Sequence, residues 1–164
     1  MSEDYTGTAQ VLTDITLEIF RLGGTLVVEG DRLTRDLGLT SARWKVLGAI
    51  DMEAWPLTVP QIARRMGLTR QAVQRIVDEM RGMGLVEISP NPDHLRSPIV
   101  SCTPKGKATY EKIMRRYTAW ANRLAETMES SELKKALKVL QNLALRLKEV
   151  PYATVRATRA RSKP

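Results

Sequence analysis

Two closely spaced helix-start signals constrain the fold of this chain most strongly. Thr58 is followed by Pro60 and Gln61, which is the order of an N-cap, a proline in the first turn and the partner of a capping box. Gly67 then interrupts the helical pattern, and Thr69 is an N-cap for the next helix. That second helix carries one apolar stripe, formed by Ala72, Val73, Ile76, Val77 and Met80. Two short helices joined by a tight turn are typical of a helix-turn-helix motif.

A β-hairpin is predicted directly after this pair of helices. Residues 85–89 alternate in character, residues 90–93 break regular structure with two prolines, and a second strand resumes over 99–103. Thr103 followed by Pro104 then predicts the start of a further helix. A hairpin in this position corresponds to the wing of a winged helix-turn-helix.

A long amphipathic helix is predicted over residues 8–36, before the motif. Its apolar positions recur every three or four residues, at Leu12, Ile15, Ile19, Leu22 and Leu26. Gly23 and Gly24 interrupt the pattern, which predicts a bend or a close helix crossing there. Thr40 is the N-cap of a second helix that stops before the turn at Trp55 and Pro56. That helix carries Trp44, Leu47 and Ile50.

Two more amphipathic helices are predicted after the wing. The buried side of the first is marked by Tyr110, Ile113, Tyr117, Trp120, Leu124 and Met128. The last begins near Ser131 and carries an apolar seam of Leu133, Leu137, Leu140, Ala144 and Leu147. This surface can pack inside one chain or between chains, and we expect part of it to lie in the core. Pro151 ends the folded region, and the basic tail over 151–164 is predicted to be disordered.

Composition predicts a mostly α-helical protein with a polyanionic partner. Hydrophobic residues make up 43% of the 164-residue chain and aromatic residues only 5%, so aliphatic side chains must form the core. The net charge of +8 is uneven, because residues 1–55 carry −4, residues 56–105 carry +3 and residues 106–164 carry +9. Excess cations favour nucleic acid, since phosphate neutralisation releases counterions. The alternative is a basic protein whose charge serves solubility alone.

Several classes of protein are disfavoured. No apolar run reaches the roughly 18 residues of a membrane span, and the acidic N-terminus is unlike a signal peptide, so we expect a cytoplasmic protein. Cys102 is the single cysteine, which excludes an intrachain disulfide and a cysteine-based zinc site, and a core position is expected for it rather than a redox role. Catalysis, a cofactor and a metal site are not expected, because His94 is the sole histidine and no Gly-rich phosphate loop is present.

The polar face of the second motif helix carries the candidates for contacting DNA bases. Arg70, Gln71, Gln74 and Arg75 lie opposite the apolar stripe, near the end that a recognition helix inserts into the major groove. Arginine forms two hydrogen bonds with a guanine edge, and glutamine forms two with an adenine edge. A solvated polar face is the alternative, and the preceding capped helix and following hairpin favour the functional interpretation.

Other cations and the helix N-termini are predicted to contact phosphates. Arg64 and Arg65 lie on the bracing helix, and Thr58 and Thr69 cap helices whose free amides attract anions. Simple exposure is the alternative for each of them. Arg96 lies near the wing tip, where it is predicted to enter a narrow minor groove or to pair with the neighbouring aspartate.

The order of these elements resembles the MarR (multiple antibiotic resistance regulator) family of winged helix-turn-helix repressors over nearly the whole chain. The matching stretches are Leu39-Thr40 with Trp44 and Leu47, Ile62-Ala63 before Met66-Gly67-Leu68-Thr69, Gly84-Leu85-Val86, and Thr103-Pro104-Lys105-Gly106. The wing of that family usually carries an Asp-x-Arg motif. Arg96 fits its arginine, but His94 stands in place of the aspartate and Leu95 in place of a residue that is often polar or basic.

The resemblance implies a fold that is mainly α with a small β-hairpin wing. It implies an N-terminal dimerisation helix at 1–38, a winged helix-turn-helix lobe at 39–103 and C-terminal dimerisation helices at 104–150. The implied homodimer packs through Leu12, Ile15, Trp120, Leu133, Leu137 and Leu140. It would bind double-stranded DNA at a pseudo-palindromic operator with half-sites about 10 bp apart.

The resemblance also implies transcription regulation, as a repressor that an unidentified small-molecule effector releases from DNA. The alternative is a winged-helix module that binds proteins and no specific DNA, since a fold does not determine a function. Exposed aromatic residues or methionines in place of the arginines and glutamines would favour that alternative.

Overall fold

The computed structural model describes residues 6–53, 55–92 and 97–150. Within those ranges it contains α1 (Gly7–Thr34), a 3-10 helix (Arg35–Leu37), α2 (Ser41–Asp51), β1 (Leu57–Thr58), α3 (Val59–Met66), α4 (Arg70–Gly82), β2 (Val86–Ser89), β3 (Ile99–Cys102), α5 (Pro104–Ala125) and α6 (Ser130–Glu149). The predicted fold class, mainly α with a small β wing, is confirmed. The basic tail lies outside the described residues. The chain divides into two units, residues 1–118 and 119–164, with the boundary inside α5.

Local capping signals set the helix starts where the sequence predicts them. Thr40 caps α2 through its side chain. The Thr69 hydroxyl accepts a hydrogen bond from the Ala72 amide at 3.2 Å, and the Thr103 hydroxyl accepts one from the Gly106 amide at 3.0 Å. Each contact satisfies a backbone donor that has no partner inside its helix. These predicted start positions are therefore confirmed.

The sheet has one strand more than the predicted hairpin. β2 and β3 pair antiparallel, with Val86 opposite Cys102. β1 adds to the other edge of β3, where Leu57 pairs with Val100, so the strand order is β1-β3-β2. A two-residue strand shows no alternation that sequence analysis can detect. Leu57 is nevertheless 4% exposed, so the short strand closes one side of the core.

One apolar core occupies the first unit. Its completely buried members come from α2, α3, α4, β3 and the early part of α5, and they are Val46, Leu47, Ile62, Val73, Val77, Met80, Val100 and Ile113. Full burial of a side chain of this kind contributes about 1.5–3 kcal/mol. The core therefore holds α4 firmly against α2 and α3, with its polar face outward.

Much of the apolar surface predicted on α5 is exposed, which corrects the expectation that this side is buried along its whole length. Tyr110 and Ile113 are buried as predicted, but Tyr117 is 37% exposed. In the second unit, Leu124 and Met128 are 56% and 50% exposed. Trp120 is partly exposed. The helical period identifies one face correctly, but a face is buried only where another element covers it.

The seam on α6 is likewise exposed, so the expectation that part of it lies in the core is wrong for the single chain. Leu133, Leu137, Leu140 and Leu147 are 40%, 55%, 43% and 66% exposed. Ala144 is also exposed. A pair of helices cannot enclose the apolar faces of both on its own, because burial needs a covering layer.

The apolar face of α1 is also largely uncovered. Leu12, Ile19, Leu22 and Leu26 are 45%, 37%, 51% and 50% exposed, and Ile15 is partly exposed. The helix continues through Gly23 and Gly24, and a Cβ built at either would meet no atom within 4 Å. The predicted close crossing is therefore not made by the described residues of one chain.

Among the helices of the described ranges, none combines the length and the apolar character that a membrane span requires.

Candidate nucleic-acid interface

The turn between α3 and α4 depends on glycine geometry and on two caps. Gly67 has a φ of 63°, in the left-handed region that glycine adopts without steric cost. At the start of α3, the amide oxygen of Gln61 accepts hydrogen bonds from the Thr58 backbone amide at 2.7 Å and from the Thr58 hydroxyl at 2.8 Å. The predicted capping box is therefore present. Because both helix starts are fixed locally, α4 leaves the turn in one direction.

The four candidate base-contacting side chains of α4 all lie on its exposed face. Arg70, Gln71, Gln74 and Arg75 are exposed, whereas the opposite stripe is buried in the core apart from the half-buried Ala72. The predicted division of this helix into an apolar and a polar face is thus confirmed as geometry. Its use in contacting bases stays a prediction.

Two adjoining grooves bring most of the candidate residues together. The smaller, of about 280 Å³, is lined by Arg70, Gln71 and Gln74 with Val59, Pro60, Ser97 and Pro98. The larger, of about 680 Å³, is lined by Thr58, Arg64 and Arg70 with Trp55, Pro56, Pro60, Gln61, Asn91, Pro92, Ser97 and Ile99. Arg70 and Ser97 line both, so the surface runs from α4 past the start of α3 to the base of the wing. An elongated, cation-bearing surface of this kind suits a nucleic-acid backbone.

Arg65 and Arg75 line neither groove and have acidic partners instead. Arg65 pairs with Glu53 in the loop after α2. The Arg75 Nε lies 3.8 Å from Glu79 Oε1, one helical turn further along α4. Exposed pairs of this kind contribute only about 0–1 kcal/mol, so a good acceptor on a ligand can replace the carboxylate.

The remaining candidates are a helix cap and a wing residue. The Thr69 hydroxyl is occupied as the α4 cap, which leaves the other first-turn amides of that helix as anion donors. Arg96, with Asp93, His94 and Leu95, lies outside the described residues, so its predicted entry into the minor groove stays a prediction.

Sequence reasoning missed the acidic partners on α4. The Gln74 Nε2 donates to Asp78 Oδ1 at 2.9 Å, and the spacing of four residues was a readable signal for both this pair and the Arg75–Glu79 pair. Glu79 Oε2 also accepts from the Nε and Nη2 of Arg43 at 3.1 and 2.9 Å. Arg43 lies 36 residues earlier, on α2, so only the tertiary packing could reveal that contact.

Side chains of the metal-ligating types and the single thiol both lie in the described part of the chain. No group of three or more histidine, cysteine, aspartate or glutamate side chains there is placed to hold a metal ion. Cys102 is half-buried against the core, and burial raises the pKa of its thiol to about 11. A thiol with so high a pKa is almost entirely protonated at neutral pH and reacts slowly with oxidants.

Comparison with known sequences identifies the family. A sequence model of the MarR family matches residues 37–97, from the 3-10 helix to the wing. The uncharacterized protein Rv2011c of Mycobacterium tuberculosis is 36% identical over 134 residues, which cover 82% of this chain and 92% of that protein. The transcriptional activatory protein BadR of Rhodopseudomonas palustris is 28% identical over 95 residues, which cover 57% of this chain and 54% of BadR.

Solved structures share the architecture. The MarR family transcription regulator SP03579 is 25% identical with a TM-score of 0.76, covering 87% of this chain and 93% of that chain. CouR from Rhodococcus jostii RHA1, solved bound to p-coumaroyl-CoA, is 24% identical with a TM-score of 0.72, covering 80% of this chain and 92% of CouR. At that identity the likeness to CouR concerns the fold alone.

The family match covers α2, α3 and α4 and most of the residues that line both grooves. Proteins of this family are transcription regulators and not enzymes, which agrees with the exposed arginine and glutamine face of α4. This chain belongs to the MarR family of DNA-binding transcription regulators.

Proposed function

We propose that this chain acts as a homodimeric repressor that binds a pseudo-palindromic operator in double-stranded DNA. The observation that supports it most is the exposed face of α4, where Arg70, Gln71 and Gln74 line one groove with the base of the wing. The four candidate side chains have the donors and acceptors that base edges in the major groove require. A cytoplasmic location is part of the same proposal.

The proposed dimer is supported by apolar surface that a single chain leaves uncovered. In the first unit, α1 exposes Leu12, and Phe20 is 72% exposed. In the second unit, α6 exposes Leu133, Leu137 and Leu140. Runs of exposed apolar side chains along a helix face mark protein–protein interfaces. The proposed interface residues are Leu12, Ile15, Trp120, Leu133, Leu137 and Leu140.

A twofold dimer would present two α4 helices to one side of the duplex. Half-sites about 10 bp apart follow, because that is one turn of B-DNA. In this arrangement Arg70, Gln71, Gln74 and Arg75 contact bases and Arg96 enters the minor groove. The phosphate contacts fall to Thr58, Arg64, Arg65 and Thr69.

We also propose that the chain represses transcription and that a small molecule regulates its binding to DNA. BadR is named an activatory protein, whereas we propose repression by occupation of the operator. We further propose that a small-molecule effector weakens DNA binding. CouR was solved bound to p-coumaroyl-CoA, so phenolic acyl thioesters are the first class to test on this chain. An effector acts only by binding the DNA-competent and DNA-incompetent states unequally.

Selection of bound duplexes from a random pool tests the central claim. The full-length protein is expected to enrich a palindrome with half-sites about 10 bp apart. The binding constant should fall linearly on logarithmic axes as salt rises, with a slope of about −0.9 per phosphate contact. Selection is repeated with p-coumaroyl-CoA, and sedimentation gives the oligomeric state. A monomer, or a pool without an enriched sequence, would contradict the proposal.

Matched arginine variants separate base contacts from phosphate contacts. Arg75→Ala is expected to weaken binding to the selected duplex by about 1–3 kcal/mol and binding to a shuffled duplex much less. Arg64→Ala should weaken both alike and reduce the salt slope by about one. Arg81→Ala is the control, because Arg81 is exposed on the same helix and lies outside the proposed contact set. Equal losses on both duplexes for Arg75→Ala would remove this residue from the base-contacting set.

A further inference from the structure

Glu79 joins two arginines on the surface of the recognition helix. Its Oε2 accepts two hydrogen bonds from Arg43 of α2, and its Oε1 lies 3.8 Å from the Nε of Arg75. The side chains become more exposed along this row, with 26% for Arg43, 40% for Glu79 and 80% for Arg75. The carboxylate therefore has one firmly held side and one side that faces the proposed DNA surface.

The contact with Arg43 fixes the position of the carboxylate. Two hydrogen bonds between charged groups are stronger and more directional than neutral ones. Arg43 is itself held, since its Nη1 donates to the Gly38 carbonyl oxygen at 3.4 Å. Glu79 thus stays beside Arg75 instead of turning away into solvent.

The contact with Arg75 is weak enough to be exchanged. At 3.8 Å it is an ion pair without a direct hydrogen bond, and pairs four residues apart on an exposed helix contribute about 0.2–0.5 kcal/mol. A ligand that offers Arg75 two good acceptors can replace it. A guanine edge offers two such acceptors, at O6 and N7.

The carboxylate distinguishes a phosphate from a base edge. A phosphate that approaches Arg75 carries a full negative charge and is repelled strongly by Glu79, whereas the O6 and N7 of a guanine edge carry only partial negative charge and are repelled much less. Nonspecific binding depends on phosphate contacts, and specific binding adds base contacts. A fixed negative charge here therefore weakens nonspecific binding more than specific binding.

We propose that Glu79 is a specificity-determining residue, which holds Arg75 on the helix and opposes its use as a phosphate contact. The inference rests on the proposed DNA-binding function of α4. It assigns Arg43 a positioning role, since Arg43 keeps the carboxylate in place.

The test compares two carboxylates that follow each other on α4. Glu79→Gln removes the charge beside Arg75 but keeps an oxygen acceptor for Arg43. Asp78→Asn is the control, because it removes one negative charge at the adjacent position and keeps an oxygen acceptor for Gln74. Affinities are measured for the selected duplex and for a shuffled duplex at two salt concentrations, and thermal unfolding confirms that each variant is folded.

Glu79→Gln is expected to raise affinity for the shuffled duplex about threefold to tenfold and to change affinity for the selected duplex less than about twofold, since phosphate contacts dominate nonspecific binding. The specificity ratio then falls. Asp78→Asn should change this ratio by less than half as much on a logarithmic scale. An unchanged ratio for Glu79→Gln, or an equal change for Asp78→Asn, would overturn the inference.

A double variant shows whether Glu79 acts through Arg75. In an Arg75→Ala background, Glu79→Gln is expected to leave the specificity ratio unchanged, because the residue it controls is absent. The same fall in both backgrounds would overturn the inference. Failure of the underlying function would look different. If the wild-type protein prefers no duplex, DNA recognition itself is contradicted. If the wild-type protein prefers its operator and Glu79→Gln has the same specificity ratio, only the role of Glu79 is contradicted.

Discussion

The helix-turn-helix lobe buries its apolar side chains within one chain, whereas the terminal helices α1 and α6 leave many of theirs exposed. Leu47 on α2 and Ile62 on α3 are completely buried within one chain. Phe20 on α1 is 72% exposed, and Leu137 on α6 is 55% exposed. Apolar residues recur at helical spacing in the sequences of all these helices, so the difference lies in what covers them.

This contrast shows where the stability of each region originates. The lobe closes its core with its own helices and sheet, so its stability is a property of one chain. The apolar faces of α1 and α6 gain their burial energy only when another surface covers them. Stability that depends on a second copy rises with protein concentration, whereas stability within one chain does not.

The largest effect is expected at Gly106, where α5 starts against β2. A Cβ there would lie 2.0 Å from the Leu85 carbonyl oxygen, a backbone atom that cannot move aside cheaply. Gly106→Ala is expected to destabilise the lobe by about 4 kcal/mol or more, in the range of severe substitutions. Urea unfolding measures the loss. Gly82→Ala is the control, since a Cβ at Gly82 would meet no atom within 4 Å. Wild-type stability of Gly106→Ala would mean that the lobe is packed less tightly than its core indicates.

The same chemical change in each region gives the sharpest comparison. Leu47→Ala should cost about 2–5 kcal/mol, because it leaves a cavity in a closed core. Leu22 is 51% exposed, so Leu22→Ala should leave the lobe's own stability nearly unchanged and weaken self-association instead. Unfolding at two protein concentrations and sedimentation equilibrium separate these effects. A Leu22→Ala protein that assembles as the wild type does would argue against α1 as part of the interface.

The same division explains what the sequence could predict. The caps at Thr40, Thr69 and Thr103 and the turn at Gly67 involve contacts within a few residues, so residue type and spacing were sufficient to locate them. The polar face of α4 followed from the helical period. The exposure of the apolar faces of α5 and α6 could not be predicted, because the helical period of a sequence identifies an apolar face but not the element that packs against it.

Contacts between distant segments were missed for a related reason. β1 is two residues long, and its strand geometry comes from pairing with β3. Glu79 receives hydrogen bonds from Arg43, and no local pattern connects those two positions. The candidate site was therefore predicted as a set of exposed side chains, without the acidic partners that hold two of them.

The lobe should also protect its single thiol. Burial raises the pKa of Cys102 from an ordinary value of 9.0 to about 11, so the thiolate fraction at pH 8 falls about hundredfold. Alkylation by iodoacetamide is expected to be about hundredfold slower in the native protein than in the urea-unfolded chain, which serves as the control. Mass spectrometry gives both rates. Equal rates would show that this side of the lobe opens readily or that the thiol is not buried.

The smallest effect is expected at the contact between Asp36 of the 3-10 helix and Arg116 of α5. The Nη1 and Nη2 of Arg116 donate to the two carboxylate oxygens of Asp36 at 2.6 and 2.7 Å, and Nη1 also donates to the Leu33 carbonyl oxygen at 3.1 Å. These hydrogen bonds hold the pKa of Asp36 below its ordinary value of 3.8. A carboxyl whose folded pKa is depressed stabilises the fold above its unfolded pKa, and the contribution is lost as the pH falls through the folded pKa.

Arg116→Gln should therefore lower the unfolding temperature slightly and by a constant amount above about pH 5, and the gap to wild type should narrow as the pH falls below about 4 toward the depressed pKa of Asp36. Thermal unfolding across pH 3 to 7 provides the measurement. Arg115→Gln removes a charge from the neighbouring exposed position and should show no such pH dependence, because Arg115 is not among the groups that lower the pKa of Asp36. A gap that widens on acidification would mean that the contact does not depend on ionised Asp36, and that another feature connects α1 to α5.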